Sequence, residues 1–110
     1  MIKAAFHRKA GVLHGFSIQG HAGYAAYGQD IVCASVSSAA QLTANGITEI
    51  LGLPAKVEVE EKTNRLTLAL PPDSSSLRKE GEHMLEALLL HLQLLEEDYA
   101  KKIHVTILEV

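Results

Sequence analysis

The chain has 110 residues, the size of one folded domain, which leaves no room for a second. Apolar residues make up 47% and charged residues 21%, a balance typical of a globular protein, and this excludes an intrinsically disordered chain. With 5% aromatic residues, no tryptophan and a formal net charge of -3, a general nucleic-acid-binding surface is disfavoured, because such surfaces rely on Lys, Arg and stacking aromatic side chains.

The N-terminal segment predicts a β-hairpin. In residues 2–9 apolar side chains recur at every second position, which is the period of a half-buried strand. Residues 12–19 alternate in the same way, and Ala10-Gly11 supplies the turn between the two strands. The side chains expected to share one face of the second strand are Val12, His14, Phe16 and Ile18.

The next segment predicts a loop and then a long helix. Residues 20–29 show no period and are rich in glycine, which is typical of a mobile loop. Residues 31–51 are mostly apolar and rich in Ala and Ser, and we expect them to form one helix with Gly46 tolerated inside it. Gly52 and Pro54 end that helix.

A second hairpin is predicted from residues 56–61 and 65–70, which alternate around a turn at Thr63-Asn64. Pro71-Pro72 ends this hairpin.

The remainder predicts a second helix and a last strand. Asp73 and the serines at 74–76 offer N-caps for the helix, which extends to about Ala100. The apolar residues that follow its helical spacing are Leu77, Met84, Leu85, Leu88, Leu92 and Leu95. Residues 102–109 alternate as a strand. The order ββαββαβ predicts a single α+β domain over residues 1–110, with a sheet of about five strands and two helices.

The number of cysteines and the length of the apolar runs indicate the cellular compartment. Cys33 is the single cysteine, so no intrachain disulfide can form, and a disulfide-stapled secreted scaffold is excluded. No apolar run has the length of a signal peptide or of the roughly 18 residues that cross a membrane. We therefore expect a cytoplasmic protein with no membrane partner.

Two reactive side chains fall at a strand end and at a helix start. His21 directly follows the second strand, and Cys33 lies in the first turn of the long helix. The loop between them is long enough to fold back and bring the two side chains together. A helix N-terminus and a neighbouring imidazolium both favour the thiolate form of cysteine, which is the nucleophile. This placement predicts a nucleophilic Cys33 with His21 as its base.

Each of these residues also has a structural interpretation. A lone cysteine is often a small buried apolar residue, and a loop histidine often bonds to the backbone. Asp30 is either an N-cap of the helix or the acid that orients His21. Ser37, one turn beyond Cys33, either belongs to the site or bonds back to a helical carbonyl. The spacing alone leaves these alternatives open.

A binding function is the alternative to catalysis. Gly20-His21-Ala22-Gly23 is a GxxG sequence, which in KH domains clamps a nucleic-acid backbone. KH loops join two helices, whereas this one follows a strand, and the chain is acidic. Under this alternative the loop belongs to a non-enzymatic module that binds RNA or protein.

The segment GHAGYAAYGQDIVCASVSSAA resembles the Prp family of ribosomal-processing cysteine proteases. The family pattern is a G-H-A loop that leads to G-x-D-I-V-C-A-x-V-S. The matching positions are Gly20, His21, Ala22, Gly28, Asp30, Ile31, Val32, Cys33, Ala34, Val36 and Ser37. The resemblance extends over the whole chain, including the predicted order of elements.

The resemblance implies a cysteine endopeptidase with Cys33 as nucleophile and His21 as general base and acid, supported by Asp30 and Ser37. It also implies a homodimer that needs no metal or other cofactor. The substrate that the resemblance implies is the twenty-seventh large-subunit ribosomal protein in the bacterial numbering, whose N-terminal extension would be removed before ribosome assembly. The residues expected to cover the substrate tail are Ala22, Gly23, Tyr24, Tyr27 and Gly28. Direct nucleic-acid binding is not expected for such a protease. The alternative function is a non-enzymatic ribosome-associated module that binds RNA or protein through the same loop.

Overall fold

The computed structural model describes residues 1–20 and 31–110. Its elements are β1 (Ile2–Lys9), β2 (Val12–Gln19), α1 (Ile31–Asn45), β3 (Lys56–Glu60), β4 (Arg65–Ala69), α2 (Arg78–Asp98) and β5 (Ile103–Glu109). This is the predicted order ββαββαβ, and the α+β fold class is confirmed. No helix in the described residues is both long and apolar enough to pass through a lipid bilayer.

The five strands form one mixed sheet in the order β3-β4-β2-β1-β5. Three neighbouring pairs are antiparallel, as expected for two hairpins joined through β2 and β4. The remaining pair, β1 with β5, is parallel and aligns Ile2 with Ile103. The first and last strands are therefore neighbours in the sheet, although they lie at opposite ends of the sequence.

The core lies between one face of this sheet and the two helices. Phe6 of β1 and Phe16 of β2 are fully buried at its centre, with ring centroids 5.9 Å apart. The other buried apolar residues are Ile2, Ala4, Leu13, Ile18, Val32, Val36, Ala40, Ala44, Ile47, Leu53, Leu68, Leu85, Leu88, Leu89, Leu92 and Ile103. Apart from the two phenylalanines, these buried apolar residues are all aliphatic, and removing such side chains from water is the main stabilising contribution to the fold.

A β-bulge corrects the predicted face of β2. His7 pairs with Gly15 and Arg8 pairs with Leu13, so His14 is an extra residue on β2. An extra residue reverses which side chains point to the core on either side of the bulge. Leu13, which simple alternation assigns to the face opposite Phe16, is therefore buried in the core, and His14 is half-buried and contacts Arg78 of α2.

The first long helix changes its geometry near its end. After Asn45 the chain continues as a π-helical turn over Gly46–Ile50, in which the Leu51 N–H donates to the Gly46 carbonyl at 2.9 Å. A Cβ on Gly46 would lie 2.2 Å from Cε of Met84, so the side chain of Met84 on α2 packs directly against this glycine. The predicted helical stretch is confirmed in extent, but its last turn is wider than an α-helix.

The start of α2 differs from the expected one. The helix begins after Leu77, which has a left-handed φ of 63° and makes no side-chain capping bond, so capping by the serines at 74–76 was wrong. Leu77 is also exposed rather than part of the apolar face. The buried residue here is Arg78, whose side chain is only 3% exposed.

Arg78 is surrounded by partners for its charge. Its Nε donates to the Pro71 carbonyl at 3.0 Å, and its two terminal nitrogens reach Glu82, His14 Nδ1 at 2.9 Å and Asp73 at 3.4 Å. Because a guanidinium only donates, Nδ1 of His14 is the acceptor in this contact. We call the side chains of Arg78, His14, Asp73 and Glu82 the Arg78 cluster.

Candidate active site

Cys33 lies in the first turn of α1, where the sequence placed it. Its side chain is half-buried, with the hydrophobic core on one side. On the other side it lines a cavity of about 400 Å³, which we call the Cys33 cavity. A thiol that is held by the core and still open to such a space can react with a bound molecule.

One wall of the Cys33 cavity is a single face of α1. Val36, Ser37, Ala40 and Ala44 follow Cys33 at intervals of about one helical turn, so they point the same way. Their side chains are small, which keeps the space beside the helix open along its length.

The opposite wall is the outer part of the sheet. Val57 and Val59 of the edge strand β3 line the cavity beside Leu66 of β4. Both valines are paired with buried or half-buried residues of β4, yet Val59 is 71% exposed because the helices do not extend over β3. The cavity therefore has an apolar, uncovered strand edge.

The end of the Cys33 cavity nearest the helix start is formed by the end of β2. Gly20 has φ +100°, and a Cβ there would lie 2.6 Å from the Met1 carbonyl oxygen. The side-chain amide of Asn64, in the β3–β4 turn, donates to the Gly20 carbonyl at 3.1 Å. Nε of Arg65 donates to Oε1 of Gln19 at 2.7 Å. These contacts join the turn to the last residues before position 21.

The structure brings two of the predicted site residues together. Cys33 and Ser37 line the same cavity, and Ser37 is exposed to it. The predicted residues that lie outside the described part of the chain are His21, Ala22, Gly23, Tyr24, Tyr27, Gly28 and Asp30. Their roles, including the pairing of His21 with Cys33, stay predictions.

Sequence reasoning missed the contribution of the second hairpin. Asn64 and Arg65 contact the end of β2, and Val57 and Val59 form a cavity wall. A signal was present for Asn64, because asparagine in a tight turn is one of the few residues that adopt a positive φ without large strain. Nothing in the local sequence indicates that this turn would meet Gly20.

The arrangement suits nucleophilic chemistry. The first turn of a helix carries backbone N–H groups without partners inside the helix, and these can stabilise an oxyanion formed beside Cys33. In residues 1–20 and 31–110, no group of three or more His, Cys, Asp or Glu side chains is placed to hold a metal ion. The two histidines of α2, His83 and His91, are both exposed and belong to no such group within the described residues.

Comparison with known proteins gives the same family for sequence and fold. The family model of the cysteine protease Prp matches residues 1–104. The ribosomal processing cysteine protease Prp of Bacillus subtilis (strain 168) is 28% identical over 109 residues, which cover 96% of each chain.

Solved structures share the architecture over almost the whole chain. A Streptococcus mutans protein has a TM-score of 0.84 at 26% identity and covers 100% of this chain and 96% of its own. The essential ribosomal processing protease Prp of S. aureus, in complex with a covalently linked product peptide, has a TM-score of 0.84 at 23% identity, with coverage of 97% and 99%. With a matching family model over nearly its full length and this fold, the chain belongs to the Prp family of ribosomal processing cysteine proteases.

Proposed function

We propose that this protein is a cysteine endopeptidase that removes the N-terminal extension of the twenty-seventh large-subunit ribosomal protein before ribosome assembly. The observation that carries the proposal is the position of Cys33, in the first turn of α1 and open to a cavity of about 400 Å³. Family membership supplies the reaction class, and the cavity supplies the space for a peptide.

The catalytic steps assign roles to the predicted dyad. His21 takes the proton of the Cys33 thiol, and the thiolate attacks the scissile carbonyl carbon to form a tetrahedral oxyanion. The C–N bond then breaks as His21 returns that proton to the leaving amine, which leaves an acyl-enzyme on the Cys33 sulfur. Water attacks the thioester carbonyl carbon as His21 takes one of its protons. The C–S bond then breaks, the carboxyl product leaves, and the proton passes from His21 to the Cys33 sulfur to restore the thiol. Asp30 orients His21, and Ser37 supports the site from the next turn of α1.

The dimensions of the Cys33 cavity fit an extended peptide. From Cys33 to Asn45 the helix rises about 18 Å at 1.5 Å per residue. An extended chain of about five residues spans that length. The apolar and small side chains along both walls favour apolar substrate residues, while the polar groups of Gln41, Asn45 and Arg65 also line the cavity.

Two further observations support a ribosomal protein tail as substrate. The S. aureus Prp structures contain a substrate peptide in one case and a covalently linked product peptide in the other. The net charge of this chain is -3, which attracts a basic partner, and ribosomal proteins that contact RNA are basic. The reaction takes place in the cytoplasm, where such a substrate is made.

We also propose that the protein acts as a homodimer. Ile31 and Leu42 of α1, which are 61% and 73% exposed, lie with His91 of α2 along a depression on the outer side of the helix layer. Leu90 and Leu94 of α2 are also exposed, at 57% and 52%. Light scattering at micromolar concentration tests the dimer, and Leu42→Glu should give a monomer if this surface forms it.

Cleavage of a tail peptide tests the proposed function directly. A peptide with the N-terminal extension of the ribosomal protein is incubated with the protein, and the products are identified by mass spectrometry. We expect one internal cut that iodoacetamide treatment of Cys33 abolishes. Ser76→Ala, at an exposed position before α2 that lines neither the Cys33 cavity nor the depression beside Leu42, is the control and should cut normally.

The binding-module alternative predicts a different pattern. The peptide would bind without being cut, and Cys33 would react with iodoacetamide at neutral pH no faster than a free-thiol control. An intact peptide together with a slow Cys33 would therefore replace the protease proposal.

A further inference from the structure

A row of polar side chains runs along α1 in the Cys33 cavity. Ser37, Gln41 and Asn45 follow Cys33 at intervals of four residues, and all three are exposed and line that cavity. Residues four apart lie on one face of a helix, so the row begins at the thiol and leads away from it. We call Gln41 and Asn45, the two carboxamides of this row, the amide pair.

The amide pair has unused hydrogen-bonding capacity. Among the described residues, no group forms a hydrogen bond with the carboxamide of Gln41 or of Asn45. Other polar side chains of α1 differ, because Ser35 and Thr43 donate to the helical carbonyl four residues earlier. Each carboxamide therefore offers its N–H donors and its carbonyl acceptor to a molecule in the cavity.

The spacing of the amide pair matches an extended peptide. Positions four apart on a helix are separated by about 6 Å along its axis. In an extended chain every second residue points its N–H and C=O groups to the same side, at a repeat of about 6.7 Å. The mismatch is less than about 1 Å, which the rotatable side chain of Gln41 can accommodate.

The groups of a carboxamide also complement those of one peptide residue. An extended residue presents its N–H donor and its C=O acceptor on the same side, and a carboxamide carries an acceptor and a donor group next to each other. Gln41 and Asn45 can therefore each form two hydrogen bonds with the main chain, at alternate residues of the peptide. Such bonds do not depend on the side chains of the substrate.

The sheet side of the Cys33 cavity complements this arrangement. Val57, Val59 and Leu66 line it with apolar side chains that offer no hydrogen-bonding group. A peptide whose main-chain groups face α1 can direct every second side chain toward this apolar surface. The helix then binds the main chain, and the sheet selects among side chains.

We propose that the amide pair binds the main chain of the extended substrate on one side of the scissile bond. This inference rests on the proposed function, in which Cys33 attacks a peptide in this cavity. Gln41 and Asn45 lie about 12 Å and about 18 Å along α1 from Cys33, at 1.5 Å per residue. These distances correspond to about 3.5 and about 5.5 residues of extended chain.

The test measures cleavage of the tail peptide by Gln41→Ala, Asn45→Ala and the double variant. Alanine favours a helix and removes the carboxamide, so these variants should fold. We expect KM to rise about fivefold in each single variant and about twentyfold in the double variant, since each lost hydrogen bond weakens binding by a factor of about two to ten. The value of kcat should stay within about twofold, because these bonds form in the bound substrate as well as in the transition state.

Gln93→Ala is the matched control. Gln93 is an exposed glutamine of α2 that lines neither the Cys33 cavity nor the depression beside Leu42. Its KM and kcat should be those of the wild type. Thermal unfolding of each protein sets a temperature at which all of them are folded, and the rates are compared there.

Changes to the peptide distinguish a main-chain contact from a general disturbance of the cavity. Two series of peptides are shortened one residue at a time, one from each end. In one series the KM of the wild type should rise to that of the double variant once fewer than about four residues remain beyond the scissile bond. N-methylation of the peptide residue that contacts Gln41 removes an N–H donor, so it should weaken binding to the wild type more than to Gln41→Ala.

The outcomes separate the two proposals. If the wild type cuts the peptide and the double variant has an unchanged KM, or a higher KM that persists at the shortest peptides, the amide pair does not bind the main chain and the protease stands. If the wild type does not cut, the proposed function fails, and fluorescence anisotropy of the labelled peptide decides the inference. Weaker binding to the double variant, for the full-length peptide only, supports the inference, whereas equal binding or no binding overturns it.

Discussion

The two ends of β2 differ in how the protein surrounds a polar side chain, the Cys33 thiol at one end and the Arg78 guanidinium at the other. Beyond its C-terminal end, Cys33 has the core on one side and a cavity of about 400 Å³ on the other. Near its N-terminal end, Arg78 is 3% exposed, and its guanidinium is matched by His14, Asp73, Glu82 and the Pro71 carbonyl. One end leaves a reactive group accessible, and the other end surrounds a charge with fixed partners.

This difference separates what the two ends contribute. A buried charge is tolerated only when its hydrogen bonds are satisfied, so the Arg78 cluster holds the start of α2 against β2. A nucleophile must be accessible to its substrate, so Cys33 cannot be surrounded by protein side chains as Arg78 is. Substitutions at the Cys33 end should therefore change turnover with little effect on stability, and substitutions at the Arg78 end should do the reverse.

The largest expected effect is on turnover at the Cys33 end. Cys33→Ala and His21→Ala should each lower the cleavage rate of the tail peptide by about a thousandfold or more, because the nucleophile or its base is lost. Cys33 is only half-buried, so the free energy of unfolding of Cys33→Ala should change by less than about 1 kcal/mol. Near-normal turnover in either variant would contradict the dyad.

The next effect concerns stability at the Arg78 end. Arg78→Met keeps much of the aliphatic volume but leaves Glu82 and His14 without their buried partner. We expect the free energy of unfolding in urea to fall by about 3 kcal/mol, the usual cost of breaking a buried ion pair from one side. Turnover per folded molecule should stay the same.

Lys56→Ala is the control for this comparison. Lys56 and Glu58 form an ion pair at 3.1 Å on the surface, where such pairs contribute less than about 0.5 kcal/mol. A loss for Arg78→Met no larger than that for Lys56→Ala would show that the Arg78 cluster does not stabilise the fold.

A smaller effect is expected for Asp30→Asn. Asparagine caps a helix about as well as aspartate, so the melting temperature should change little. If Asp30 orients His21, turnover should fall by about tenfold, because the carboxylate that holds the imidazole is lost. A lower melting temperature with unchanged turnover would assign Asp30 to capping alone.

Chelation should have the smallest effect of all. We expect EDTA to leave the cleavage rate within error, since the proposed nucleophile is a thiolate and needs no bound ion. Complete loss with EDTA, followed by recovery on addition of zinc, would contradict this mechanism.

The sequence was sufficient to predict the elements but not all of the faces. Apolar residues recur at every second position in strands and at every third or fourth position in helices. Both patterns are local, and together they predict the order ββαββαβ that the structure shows. The bulge at His14 could not be predicted, because it arises from pairing with β1 and leaves no local pattern. The buried position of Arg78 was also hidden, because its partners come from separate segments that only the fold brings together.

The candidate site was predictable where it depends on chain-local features. Cys33 at a helix start and Ser37 one turn later were placed from spacing, and both line the same cavity. The contact of Asn64 with Gly20 depends on how β4 pairs with β2, which no local pattern specifies. The alternation of Val57 and Val59 predicts a strand. That these valines also form a wall of the cavity depends on the same strand pairing and could not be predicted.

The parallel pairing of β1 with β5 makes folding depend on the two most distant segments of the sheet. Ile2 pairs with Ile103, about a hundred residues later, whereas both hairpins close locally. Closing a loop of that length costs on the order of 4 kcal/mol of chain entropy, so contacts of this kind form slowly. We therefore expect β5 to dock last. Ile2 also lines the Cys33 cavity, so peptidase activity during refolding from urea should recover later than helical circular dichroism.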